Sequence, residues 1–125
     1  MTQTLDQQRA AFAWQAATQG IGRHHEDYRR LAKGAPALIM TSGLMPTLAF
    51  YAGKGNAADL LTDDIVRWLS ERIWRQTLQP GQGTHLFPSL MERIQTGDSA
   101  TYLRATDEAL EILKWIRQFV DAVQN

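Results

Sequence analysis

Apolar residues in this chain recur every three or four positions, and nowhere do they alternate in twos for long enough to make a strand. The pattern therefore predicts helices nearly throughout. Thr4 with Gln7 fits a capping box, and Leu5, Phe12 and Ala16 follow at helical spacing, with Trp14 off to one side. This helix is expected to end near Gly20 and Gly22. A second runs from about His24 to Lys33, and Pro36 breaks it or starts a new turn. Thr62 reads as the N-cap of a helix over about Asp63 to Leu78, whose Leu61, Ile65, Leu69 and Ile73 form an i, i+4 stripe widened by Trp68. Gln79-Pro80-Gly81-Gln82-Gly83 is a loop. A short helix spans about Leu86 to Gln95, with Pro88 in its first turn and Gly97 after its end. The last helix covers about Ser99 to Val123. Ala109, Leu113, Ile116 and Val120 form one apolar row on it, and Ile112, Phe119 and Val123 a second. So wide a stripe suits a central helix.

One stretch departs from the amphipathic rule. From Gly34 to Gly53 the chain runs twenty residues without a charge, between Lys33 and Lys54. That length would span a bilayer. But the run contains Gly34, Pro36, Thr41, Ser42, Gly43, Pro46, Thr47 and Gly53, which break a helix where a lone span could not satisfy the freed backbone groups. It reads instead as two short apolar helices hinged at Gly43 and buried in a soluble domain. The expected architecture is a single all-α domain over residues 1–125: one compact bundle of about six helices with a buried apolar helical hairpin.

Composition narrows the function. A chain of 125 residues is long enough for one core. It has no cysteine, so it holds no disulfide, thiolate metal site or thiol nucleophile, which fits a reducing compartment. Met1 to Leu5 does not open a secretory signal, and a cytoplasmic location is expected. Thirteen basic residues balance thirteen acidic ones, which argues against a strongly electrostatic nucleic-acid binder. The balance is uneven, though: residues 1–54 hold six basic and three acidic side chains, and residues 55–125 hold seven and ten.

The sequence offers no convincing catalytic set. Adjacent His24 and His25 point about 100° apart on a helix and do not chelate together, and His85 is distant. Asp63 and Asp64 sit at an expected helix start, where acids are stabilising. Glu108 and Glu111 have Arg104 and Lys114 as expected partners. Ser42 lacks a nucleophile elbow, and Gly20-Ile21-Gly22 and Gly81-Gln82-Gly83 follow no strand. No enzyme activity, cofactor or metal is expected. The basic residues remain. Arg23 can pair with Asp27, and Glu26 with Arg30, but Arg29 and Lys33 share a face. If the hairpin folds back at Gly43, Lys54 returns to the Lys33 end. Arg29, Arg30, Lys33 and Lys54 then form a basic patch, and Arg72 with Arg75 a smaller one. Lys114 and Arg117 are weaker candidates, since Glu111 and Asp121 lie at ion-pair spacing.

Two stretches carry a family resemblance. The first is Tyr28-x-x-Leu31, Pro36-x-x-Ile39 and Gly43-Leu44-x-x-x-Leu48-Ala49-Phe50. The second is Tyr102-x-x-x-Thr106-x-Glu108-Ala109-Leu110-x-x-Leu113-x-Trp115-x-x-x-Phe119. In order, spacing and chain length the sequence resembles the small subunit of the Cmr complex, the type III-B CRISPR effector, from Leu5 to the end. The resemblance implies an all-helical, non-catalytic subunit in antiviral defence. Several copies would stack head to tail as a minor filament beside the other Cmr subunits, where crRNA pairs with target RNA. Phosphate contact without sequence reading would fall to basic side chains. The family's RNA contacts are not a crisp motif, so the candidates stay those chosen by clustering: Arg29, Arg30, Lys33, Lys54, Arg72, Arg75, Lys114 and Arg117. The competing expectations are a helical adaptor that takes a protein partner in an apolar groove, with Trp anchors, and a small enzyme built on His24, His25 or His85.

Overall fold

A computed structural model describes residues 2–123. Six helices appear in order, with no strand among the described residues: α1 (Leu5–Ser42), α2 (Leu44–Tyr51), α3 (Asn56–Trp74), α4 (Gln82–His85), α5 (Phe87–Thr96) and α6 (Ser99–Ala122). The Thr4–Gln7 capping box opens α1, both of its reciprocal hydrogen bonds being made.

Although α1 runs through 38 residues, it is not one rod. His24 has φ −144° and ψ 58°, and the helix breaks there. The Tyr28 ring packs on the backbone of Gly20, where a Cβ would overlap three ring carbons. In an unbroken helix, residues eight apart are separated by about 12 Å along the axis. The chain therefore doubles back, and residues 5–23 and 25–42 are the two arms of a helical hairpin. The expected stop near Gly20 and Gly22 thus falls a few residues early, because those glycines stay helical and His24 takes the turn. Pro36 does not break the second arm. Its missing N–H costs one hydrogen bond, while Ala32, Ala35 and Ile39 bury the face beside it.

The uncharged segment folds back at Gly43, whose φ of 96° suits glycine. It is buried on one side only. Ile39, Leu44, Leu48 and Tyr51 are in the core, while Met40 and Phe50 are 74% and 58% exposed. No described helix is long and apolar enough to cross a membrane.

α3 begins well before the expected start at Asp63. Gly53 and Gly55, both at positive φ, turn the chain, and helix follows at once from Asn56. Thr62 is therefore not a cap. It is fully buried, and its hydroxyl donates to the Ala58 carbonyl, four residues back. The helix also stops earlier than expected, because Arg75 adopts the left-handed conformation at φ 56°. The expected loop at residues 79–83 gives its last two residues to the single turn α4. α5 and α6 lie within a residue of expectation, and Asp98 caps α6 by accepting from the Thr101 N–H at 2.8 Å. Ala109, Ile112, Leu113, Ile116 and Val120 put α6 at the centre of the core, packed against both α1 and α3.

Candidate nucleic-acid interface

Which cations face solvent depends first on which are used inside. Asp63 and Asp64 lie two turns into α3 and are almost fully buried, not on its first turn in water. Arg67 serves both: its Nε donates to Asp63 Oδ2 at 2.9 Å and its Nη2 to Asp64 Oδ1 at 2.9 Å. Asp63 also accepts from the backbone N–H of Gly81 and of Thr84, each at 3.0 Å, and so pins the loop that leads into α4. Asp64 accepts the Tyr28 hydroxyl at 2.5 Å. Burial pushes the Asp64 carboxyl up to about 7, against the opposing pull of Tyr28 and Arg67.

Glu108 is the second internal anchor. Arg9 grips it in a fork, Nε to Oε1 and Nη2 to Oε2, both at 2.9 Å. The Trp68 indole N–H donates to Oε1 at 2.9 Å. Burial raises the Glu108 carboxyl, but the hydrogen bonds from Arg9 and Trp68 outweigh it and hold the group below its ordinary value. Arg104, the expected partner, is instead exposed with no carboxylate within 4.0 Å among the described residues, whereas Glu111 does pair with Lys114, at 3.1 Å. Arg9, Trp68 and Glu108 thereby join α1, α3 and α6 at one point.

The eight candidate cations divide. Lys33 pairs with Asp121 at 2.7 Å. Arg29 reaches Glu26 at 2.8 Å, the Val120 carbonyl at 3.1 Å and Asp121 at 3.4 Å, and it is the most committed of the set. Arg30 leans on Asp27 at 3.4 Å, where the sequence suggested Arg23 as that residue's partner. Tyr51 is buried, which raises its hydroxyl, and the nearby Arg30 charge opposes the rise. The far end of α2 therefore returns towards Arg30. Lys54, three residues on, carries its ammonium 4.4 Å above the Phe50 ring. Arg72 is partly buried, with its Nε 4.0 Å from Glu108 Oε1 and no hydrogen bond. Among the described residues, Lys54, Arg75 and Arg117 are exposed with no carboxylate within 4.0 Å. So is Arg23, which the expected pairing with Asp27 sets aside. Arg104 and Arg93 also stand free of acids, and Arg93 lies 5.6 Å from the Trp74 ring. Arg104 is hidden in the sequence because Glu108 sits at ideal spacing for it, and only the fold shows Glu108 turned inward.

Two large surface hollows are polar. One of about 440 Å³ lies at the α1 break, lined by Arg23, His24, Asp59, Asp63 and neighbours. Another of about 550 Å³ holds Arg72, Arg75, Gln8 and Gln15 over Phe12. Neither is an apolar groove of the kind a helix-binding adaptor uses. His25 Nδ1 lies 3.0 Å from Glu26, and no group of three or more described His, Asp or Glu residues could hold a metal ion.

The fold and its charges together define an all-helical protein in which buried ion pairs organise the core and scattered cations project from the surface. The chain belongs to the CRISPR-associated Cmr5 family, whose model matches residues 5–123. It is 34% identical over 93 residues to the CRISPR system Cmr subunit Cmr5 of Thermotoga maritima. That match covers 74% of this chain and 64% of the relative's length. The fold is also that of a CRISPR-associated Cmr5 family protein from Thermus thermophilus solved by X-ray crystallography. There the TM-score is 0.76 at 24% identity, over 99% of this chain and all of the other.

Proposed function

We propose that this chain is a non-catalytic structural subunit of a type III-B CRISPR–Cas Cmr complex. It acts in the cytoplasm in antiviral defence, stacking in several copies beside the other Cmr subunits and touching the backbone of the crRNA–target RNA duplex. The observation that carries the reading is the family match from residue 5 to residue 123, which takes in all six helices. The physical support is the division of the charges. The internal carboxylates are held by Arg9, Arg67, Trp68 and Tyr28, while Lys54, Arg75 and Arg117 project with no described carboxylate within 4.0 Å. Arg30, Lys33 and Lys114 sit in exposed pairs, which are worth about 0–1 kcal/mol and exchange readily for phosphate. Arg29 is held by Glu26, the Val120 carbonyl and Asp121, and Arg72 is partly buried beside Glu108, so these two contribute least.

Such contacts are salt-dependent. Binding of an RNA duplex by the isolated chain should weaken linearly with the logarithm of salt concentration. Lys54→Glu and Arg75→Glu should each flatten that slope by about one phosphate contact. Glu26→Gln removes an acid from beside Arg29 and should leave the slope as steep as before. An unchanged slope in the Lys54→Glu/Arg75→Glu double variant would remove these residues from the interface.

A further inference from the structure

The charge-free run at residues 34–53 has a counterpart. Residues 10–22, between Arg9 and Arg23, also carry no charge. Ala11, Phe12 and Gln15 of that run, with Gln8 before it, form the α1 wall of the hollow of about 550 Å³. Its α3 wall carries Arg72 and Arg75. The Phe12 ring is held in place by its neighbours, 5.1 Å from the Trp68 ring and 5.0 Å from the Arg67 guanidinium. Gln8 donates to the Gln3 carbonyl at 3.3 Å, and among the described residues no group takes its amide oxygen or either end of the Gln15 amide. Arg72 Nε has no hydrogen-bond partner, and 30% of that side chain is exposed.

A hollow of this volume is the size that takes a small molecule or one unit of a polymer. Its charges say which kind. Glu108 Oε1 lies 4.0 Å from Arg72 Nε, and Glu71 stands on the α3 wall, so the interior is polar but close to neutral. An acidic peptide side chain gains little there. A nucleobase suits it better, because its edge needs donors and acceptors side by side, which glutamine amides supply. A fixed aromatic ring or a guanidinium plane gives the base a face to lie on. The cation free of acids is Arg75, exposed on the wall where a phosphate can stay in water. It ends α3 in the left-handed conformation, at φ 56°, where glycine is the usual residue. We infer that this hollow takes one unpaired nucleotide of single-stranded RNA, its base among Gln8, Gln15 and Arg72 over Phe12 and its phosphate on Arg75. A base within a duplex is excluded, since its pairing edge is already used. The inference rests on the RNA-contact reading above and adds to it a base contact made by an unpaired strand.

The test compares three labelled probes of equal length by fluorescence anisotropy: a single-stranded oligoadenylate, an abasic strand with the same ribose-phosphate backbone, and an RNA duplex. The wild-type chain should hold the oligoadenylate about fivefold or more tighter than the abasic strand, the difference that stacking of one base supplies. Gln8→Leu/Gln15→Leu leaves every charge in place. It should erase that preference while duplex binding and its salt slope stay as in the wild type. If the double variant loses its helical signal, Ala11→Leu, which narrows the hollow from an exposed helix position, takes its place. Equal affinity of the wild type for the oligoadenylate and the abasic strand would overturn the inference, and so would a base preference that survives in the variant. Duplex binding separates the two readings. If the wild type binds the duplex and shows no base preference, the hollow alone is at fault; if it binds none of the three probes, the RNA-contact reading fails with it.

Discussion

Glu108 shows how much a single side chain decides here. It sits among residues that pack a helix, and by spacing its partner is Arg104. Instead it turns inward and takes two hydrogen bonds from Arg9 and one from Trp68. Glu108→Ala strands a partly buried guanidinium and a buried indole N–H and should cost roughly 3 kcal/mol, read as a lower urea midpoint with unchanged slope. Asp64 makes a pH prediction. Its carboxyl is pushed up to about 7 in the folded chain, above the 3.8 of an ordinary aspartate. The folded state therefore binds the extra proton, and the associated stability is complete below pH 4 and lost as pH rises through 7. Asp121, held low by its hydrogen bond from Lys33, works the other way and matters only on acidification below its ordinary range. Between pH 5 and 8 the wild type should lose stability relative to Asp64→Asn. Parallel pH profiles of the two urea midpoints would contradict the assignment. None of this is legible in the sequence, where Asp63-Asp64 looks like a helix start, because only the early onset of α3 carries the pair into the core.

At the scale of elements, periodicity reads well wherever a helix is amphipathic. α5 and α6 lie within a residue of expectation because their apolar rows and flanking Gly97 and Asp98 agree with one another. The failures have local causes. Thr62 has the chemistry of a cap, but its hydroxyl is satisfied by the turn before it. Pro36 is tolerated because the packed face of the second arm outweighs one missing hydrogen bond. The two arms of α1 are the least obvious element, since the residue at the break is His24 and the glycines lie before it. Gly20 instead supplies the close approach to Tyr28. Gly20→Ala should therefore destabilise by more than about 1–3 kcal/mol, the usual cost of overpacking, because a ring and not a flexible chain end stands in the way. Tyr28→Phe keeps the ring and loses only its bond to Asp64, and should cost about 1 kcal/mol. Thermal melts of both variants compare packing with hydrogen bonding at the same turn.

For the whole molecule, zero net charge conceals a division of labour. Arg9, Asp63, Asp64, Arg67 and Glu108 are held in internal networks. Two charge-free stretches of chain each show one face to solvent, and the remaining cations lie outside them. The sequence pointed to the right family, because the residues that pack its helices keep their order and spacing. It could not say which cations are free, because that depends on pairs made across the fold. Of the patch of Arg29, Arg30, Lys33 and Lys54, Arg29 is held by Glu26 and Asp121, Lys33 pairs with Asp121, and Arg30 leans on Asp27. The most direct test of the account is target-RNA capture by a reconstituted Cmr complex carrying this chain with Lys54→Glu, Arg75→Glu and Arg117→Glu together. The triple variant should incorporate fully and hold target RNA several-fold more weakly and with less sensitivity to salt. Full incorporation with wild-type RNA affinity at low salt would contradict it.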